Sequence, residues 1–316
     1  MQVLFHLCNS FSVCPATSVR QFFLLIRTQM KGSVCHYLRY YPKCLFLHTR
    51  LLSQQRRKMS DPTDSHEAIV RRVSKETLCD IEGLDPSKFG FERGECCGPI
   101  PTNLPGSLKL VEHLFLASDL SPKEWESNLG NVTGYNELSA KVGKSRDIQL
   151  TVFHRPGPDE LIMRFLYDES LESLTISQYS CITPGEFPWE SDGSVCCDRT
   201  GDTFVFVCAH HLRDSRCGYC GTVLVDLLKT AIDARNSDNH SIYVYPCSHV
   251  GGHMYAGNVL VYTARGGLCF GRVRPSDVEC LVDFLMSDDY VIPKSLEPRV
   301  RGKVGFVQKS LNCHVM

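Results

Sequence analysis

The sequence predicts two α/β domains that follow a disordered N-terminal extension. The chain has 316 residues, enough for two domains of ordinary size, and 43% of them are apolar, enough to build real cores. Strand-like and helix-like patterns alternate in two runs, which are separated by a segment rich in proline and glycine. The first 58 residues differ from the remainder in composition and are excluded from the fold argument.

Residues 1–58 form the predicted extension. They contain no Asp or Glu and are rich in Leu, Phe, Ser and Thr, a composition that resembles a mitochondrial transit peptide. Met59 is followed by Ser-Asp-Pro-Thr-Asp-Ser, which is typical of the start of a cytosolic protein and would make the upstream stretch an artefact of gene annotation. In both interpretations we expect disorder over 1–58. We expect a mitochondrial or cytoplasmic protein, depending on whether Met1 or Met59 is the true start.

The charge distribution argues against a nucleic-acid partner. The formal net charge is −1, but nine of the 34 basic residues lie in the first 60 positions, so the remainder carries 25 basic residues against 35 acidic ones. An acidic body without a basic patch is poorly suited to neutralising phosphates. The longest apolar run near the middle of the extension, Phe22 to Ile26, is too short to cross a bilayer. We therefore expect no membrane span.

Cysteine is abundant, with 17 residues in the chain. An odd number without a clear signal peptide argues against a secreted disulfide scaffold. Reduced thiols, metal ligands or redox pairs are the better expectation, and most of these cysteines should be plain buried thiols.

The first domain is predicted over 59–180. A buried strand is expected at 108–117, and Ser121, Pro122 and Glu124 together form a helix-start pattern with a capping box. Alternation and β-branched content indicate three strands after a second short helix. This helix and the strands are Tyr135–Lys141, Ile148–His154, Glu160–Tyr167 and Ser173–Tyr179.

The second domain is predicted over 201–316, after a linker at 181–200 that contains several prolines and glycines. Its elements follow the order β-α-β-β-β-α, which is the order of a thioredoxin-like domain. We expect them at Thr203–Cys208, Thr222–Ala234, Ser241–Tyr245, Asn258–Thr263, Leu268–Val273 and Asp277–Met286. The two domains could be a diverged repeat of one such unit.

Four residues of the second domain are candidates for chemistry. Cys208 ends the first strand, and Cys217 lies nine positions later in a polar loop. His249 and His253 form a His-x-x-x-His pair, and the two glycines between them favour a loop over a helix face. Loops at one end of an α/β sheet can bring the two pairs together.

These residues resemble a known family, the sucrase/ferredoxin-like proteins, whose C-terminal domain is a thioredoxin-like [2Fe–2S] ferredoxin. The resemblance covers roughly residues 76–310. The motifs that carry it are Phe206-Val207-Cys208, Arg216-Cys217-Gly218-Tyr219-Cys220-Gly221, His249-x-x-x-His253, Gly257-Asn258 and Gly271-Arg272-Val273. It implies a [2Fe–2S] cluster held by Cys208, Cys217, His249 and His253.

The same resemblance implies one-electron transfer with a redox protein partner, rather than substrate turnover. Replacing two thiolates by neutral imidazoles makes an iron–sulfur cluster less negative and raises its reduction potential. It also makes that potential depend on pH, because a bound imidazole can lose its second proton.

Three alternatives remain open. Cys217-x-x-Cys220 could be the dithiol of a thioredoxin-like oxidoreductase, since a helix N-terminus lowers the pKa of a thiol. The same two cysteines and two histidines could hold a structural Zn²⁺ ion. A non-catalytic interaction module is the third alternative. Cys220 is interpreted either as a small buried residue that packs the helix start or as a substitute ligand.

Overall fold

Strands from both predicted domains join one mixed sheet of ten strands in the computed structural model. The structure describes residues 64–94, 104, 110–143, 147–157, 161–235, 241–287, 289 and 291–306, and of His253 only the backbone. The predicted disordered extension, residues 1–58, lies outside the described residues. The mixed α/β fold class is confirmed.

The sheet has the order β10-β9-β8-β6-β7-β2-β1-β3-β4-β5. Its strands are β1 Glu112–Ser118, β2 Ile148–His154, β3 Leu161–Asp168, β4 Ser173–Ser180, β5 Val195–Asp198, β6 Thr203–Cys208, β7 Ile242–Cys247, β8 Val259–Thr263, β9 Gly266–Phe270 and β10 Val300–Gly305. The helices are α1 His66–Val70, α2 Lys75–Asp80, α3 Pro86–Phe89, α4 Tyr135–Val142, α5 Ser215–Ala234 and α6 Val278–Leu285.

The C-terminal half follows the predicted order β-α-β-β-β-α, from β6 to α6. The predicted linker at 181–200 is partly strand, because β5 lies inside it and pairs antiparallel with β4. The two predicted α/β domains are thus halves of one sheet, and their strands meet where β2 pairs with β7.

Two helix predictions differ from the structure. The pattern at Ser121 forms a turn and no helix, although the Ser121 backbone N–H donates to the Glu124 carboxylate at 2.8 Å as a capping box would. Helix α5 begins at Ser215 instead of Thr222. Its early glycines, Gly218 and Gly221, are positions where the helix closely approaches the end of β6 and the residues that follow it.

The two halves of the sheet have the same strand pairings. In the first, β1 pairs parallel with β2 and antiparallel with β3; in the second, β6 pairs in the same way with β7 and β8. If Phe115 is matched to Phe206, the registers also match Phe165 to Tyr262. Each matched pair is in ring contact, at 3.8 Å and 4.3 Å between centroids. An approximate two-fold axis between β2 and β7 accounts for these contacts.

The core of the molecule is an aromatic layer between the two halves of the curved sheet. The ring of Phe206 also meets that of Phe153 edge-on, at 5.6 Å between centroids. Helix α5 packs on β6 and β7 and against α6, and α4 packs on β2. Aromatic pairs add roughly 0.5–1.5 kcal/mol each beyond the burial of their area. The aromatic layer therefore holds the two halves to one another.

His113 is the polar member of this layer. It is completely buried, with Nδ1 2.6 Å from the Tyr262 hydroxyl and Nε2 2.7 Å from the Thr151 hydroxyl. One ring nitrogen donates and the other accepts, so the neutral imidazole satisfies both contacts. Burial lowers the pKa of His113 to about 3, which keeps the ring neutral at physiological pH.

We expect His113 to make folding pH-dependent. Below pH 6.5 the unfolded chain binds a proton at this ring, and the folded protein does not do so until about pH 3. Lower pH therefore favours the unfolded state, and the group should cost about 2 kcal/mol of stability between pH 7 and pH 5. Urea unfolding of the wild type and of His113→Gln at both pH values measures this loss. Equal pH dependence in the two proteins would contradict the assignment.

Candidate metal centre

Cys208 and His249 lie at the same edge of the sheet, where the parallel strands β6 and β7 end. Cys208 is the last residue of β6 and is paired with Cys247, the last residue of β7. His249 follows two positions later in a loop. The carboxyl ends of parallel strands are the usual location of binding sites in α/β sheets. The predictions that Cys208 ends a strand and that His249 sits on a loop agree with this arrangement.

Cys217 reaches this edge from the first turn of α5, and not from a loop as expected. Asp214 caps the helix by accepting a hydrogen bond from the Arg216 backbone N–H at 3.0 Å. A Cβ atom on Gly221 would lie 2.0 Å from the carbonyl oxygen of Cys208. No side chain fits there, so only glycine allows α5 to pack directly against the end of β6.

Three potential ligand atoms converge at this edge. His249 Nδ1 lies 3.9 Å from Cys208 Sγ and 4.0 Å from Cys217 Sγ. All three atoms lie within 4.8 Å of one another. Both cysteines are completely buried, whereas His249 is partly exposed. Two thiols and an imidazole in this arrangement form a donor set for zinc or iron.

The pKa values of the two thiols shift in opposite directions. A hydrogen bond from the Cys217 thiol, together with the nearby His249, holds the pKa of Cys208 well below its usual value despite burial. The same hydrogen bond and burial raise the pKa of Cys217. The positive end of the α5 dipole adds to the stabilisation of one negative charge on the pair. By contrast, burial raises the pKa of Cys269 to about 12, as expected of a plain core thiol.

The fourth predicted residue, His253, begins a short 3₁₀ turn that ends at Tyr255. Its side chain lies outside the described part of the structure. The structure therefore brings together Cys208, Cys217 and His249, and participation of His253 stays a prediction.

Cys220 contacts a different part of the molecule. Its Sγ lies 3.6 Å from the carbonyl oxygen of Phe89, and Nη2 of the buried Arg93 lies 3.5 Å from the same sulfur. Among the described residues, the group that can hold a metal comprises the other two cysteines and His249. The interpretation of Cys220 as a packing residue at the helix start is consistent with these contacts.

Arg301, which sequence reasoning did not identify, packs against the loop between His249 and His253. It lies on β10, is buried, and donates from Nη1 to the Asn258 side-chain oxygen at 2.5 Å. Asn258 in turn donates from its side chain to the Gly252 carbonyl at 3.3 Å, and its own carbonyl accepts from the Cys208 backbone N–H at 3.0 Å.

Gly252 is required for this support. Its φ of +67° lies in the left-handed region, and a Cβ atom there would be 2.3 Å from Arg301 Nη2. The guanidinium therefore packs directly against the loop backbone between His249 and His253. No local signal in the sequence connects Arg301 to this loop, because the contact is made across the sheet.

Gly221 offers a test of how the helix positions the site. We expect Gly221→Ala to push α5 away from β6, to lower stability by about 1–3 kcal/mol and to weaken metal binding. Gly201→Ala is the matched control, because nothing lies within 4 Å of the Cβ position of Gly201. Denaturant unfolding and metal content after purification measure both effects. A Gly221→Ala protein that matches the control in both measurements would refute the close-packing argument.

No helix in the described part of the chain is long and apolar enough to cross a membrane.

Comparison with known proteins matches part of the chain to yeast relatives. It is 34% identical over 102 residues to "Altered inheritance of mitochondria protein 32" of Meyerozyma guilliermondii, covering 32% of this chain and 36% of that protein. It is 38% identical over 86 residues to the protein of the same name from Debaryomyces hansenii, covering 26% and 30%. It is 33% identical over 92 residues to "Actin patches distal protein 1" of Saccharomyces cerevisiae, covering 26% and 29%.

These matches span about a third of each relative's length. No solved structure matches the chain. The family model described as sucrase/ferredoxin-like matches residues 54–302. Because that match covers well over half of the sequence, the chain belongs to the sucrase/ferredoxin-like family.

Proposed function

We propose that this protein transfers single electrons through a [2Fe–2S] cluster bound by Cys208, Cys217, His249 and His253. The observation that carries the proposal is the convergence of two buried thiols and one imidazole within 4.8 Å. These groups come from a strand end, a helix start and a loop, so the fold itself assembles the donor set. The word ferredoxin in the family description supports the iron–sulfur interpretation.

The donor groups fit such a cluster chemically. Iron–sulfur clusters take thiolate ligands, and the lowered pKa of Cys208 favours that form. When bound, the cluster would supply a site for one electron. Cys208 and Cys217 keep water away from the metal side of the site, because both side chains are completely buried.

His249 would connect the site to solvent. Its Nδ1 atom faces the two sulfurs, and its ring is partly exposed. Neutral imidazole ligands also raise the reduction potential above that of an all-cysteine cluster.

The setting of the site supports a carrier role. The order β-α-β-β-β-α and the pairing of β6 with β7 and β8 are those of a thioredoxin-like domain, which we propose as the cluster-binding unit. A redox protein is the expected partner. Relatives whose name refers to inheritance of mitochondria support a mitochondrial or cytoplasmic location, according to the true start of translation.

A structural zinc site is the second candidate. Donor atoms around one tetrahedral zinc lie about 3.5–3.8 Å apart, given zinc–ligand bonds of about 2.0–2.3 Å. The distances of 3.9 Å and 4.0 Å from His249 to the sulfurs are close to this spacing. The thiol–disulfide alternative has less support, since Cys217 and Cys220 contact different groups.

Metal analysis of the purified protein separates these functions. We expect about two irons and two sulfides per chain, with visible absorption that bleaches on adding dithionite. Cys208→Ser and Cys217→Ser should each lose most of the iron, because each removes a thiolate. Cys220→Ser is the matched control and should keep it. A colourless protein with stoichiometric zinc would contradict the cluster proposal. Loss of iron in Cys220→Ser would indicate that Cys220 is a ligand.

Histidine ligation is tested by the reduction potential. We expect His249→Cys and His253→Cys to retain a cluster, because thiolate can replace imidazole. The added negative charge should lower the potential, and the loss of a titrating ring should flatten its dependence on pH. Potentiometric titration between pH 6 and pH 9 measures both changes. An unchanged potential in both variants would refute ligation by these histidines.

A further inference from the structure

The N-terminal half of the sheet contains a cavity at the carboxyl ends of β1 and β2. Its volume is about 330 Å³. The polar residues that line it include Ser118, Asp119, Thr133 and Arg155, and its apolar residues include Leu116, Val132 and Ile182. None of these residues contributes to the candidate metal centre.

The strand registers identify this cavity as the counterpart of the metal centre. Matching Phe115 to Phe206 places Ala117 at the position of Cys208. The same registers match Phe153 to Cys247, and these two residues are directly paired between β2 and β7. Continuing along the chain, Arg155 occupies the position of His249. The N-terminal half therefore keeps the site location but replaces a thiol by a methyl group and an imidazole by a guanidinium.

Arg155 changes the chemistry that this location can support. The side chain is partly buried, and its Nη1 lies 3.6 Å from the Cβ position of Gly157, which also lines the cavity. No described residue forms an ion pair with Arg155. A guanidinium binds carboxylates through paired hydrogen bonds. Without thiols or imidazoles, this site suits an anion and not a metal.

The other lining groups restrict the anion further. The Ser118 hydroxyl oxygen accepts from Trp125 Nε1 at 3.3 Å, which leaves its own proton to donate. Asp119 disfavours a second negative charge on the ligand. The volume corresponds to roughly eleven water molecules, at about 30 Å³ each, so the ligand is small. The apolar wall can cover a short hydrocarbon part.

From these groups, we propose that the cavity binds a small organic monocarboxylate, with its carboxylate on Arg155 and its apolar part against Leu116 and Ile182. This site is separate from the metal centre, because its residues lie on β1 and in the segments that follow β1, β2 and β4. Its occupancy does not depend on the proposed electron transfer.

Binding of butyrate to the purified full chain, followed by NMR or calorimetric titration, tests the proposal. We expect saturable binding with a dissociation constant on the order of 1 mM, which is reasonable for so small a ligand. Butyramide has the same shape without the charge and should bind at least about tenfold more weakly, as should butyrate to Arg155→Gln. Arg71→Gln is the control, since Arg71 is an exposed residue that does not line the cavity.

Arg155→Lys should retain more affinity than Arg155→Gln, because it keeps the charge. If both variants fold poorly, the comparison of butyrate with butyramide on the wild-type protein still decides the question. Absence of saturable butyrate binding, equal binding of the two compounds, or unchanged affinity in a folded Arg155→Gln protein would overturn the proposal.

Discussion

The contact between α5 and the end of β6 is the constraint on which the site depends. Gly221 meets the backbone of Cys208 with no space for a side chain, and a Cβ atom on Gly218 would lie 2.8 Å from the His211 ring and 3.0 Å from the His211 Cα atom. These two close approaches fix the first turn of α5, and with it Cys217, beside the last residue of β6. The two sulfurs meet because backbones, rather than flexible side chains, are in contact.

The two halves of the sheet carry different residues at corresponding strand ends. The aromatic layer holds the halves together through matched pairs such as Phe115 with Phe206. It also contains the buried imidazole of His113, whose hydrogen-bond partners come from β2 and β8. At the ends of the parallel strands the two halves differ, because Cys208 and His249 in one half correspond to Ala117 and Arg155 in the other.

Much of the fold could be predicted from local patterns. Strands β2 and β6 have their expected bounds, and the C-terminal order of elements is as expected, because alternation and β-branched content are local properties. The joining of both halves into one sheet could not be predicted, since β2 and β7 meet through a pairing between residues far apart in sequence. The start of α5 was also missed, because glycine breaks helices on average and is retained here for close packing. At the site, the sequence indicated the two cysteines and the His-x-x-x-His pair, whereas it gave no indication of Arg301.

Burial of the two sulfurs makes a nearby positive charge favourable at this edge of the sheet. A thiolate placed in a buried environment is costly unless a hydrogen bond or a positive charge offsets the loss of water. Without metal, Cys208 is stabilised by the Cys217 thiol, His249 and the α5 dipole, and Cys217 keeps its proton at a raised pKa. In the proposed holoprotein, a metal would replace that proton with a stronger positive charge and would allow both sulfurs to ionise. Metal binding would then be coupled to the folding of this edge, since the metal would favour the arrangement in which the strand end, the helix start and the loop converge.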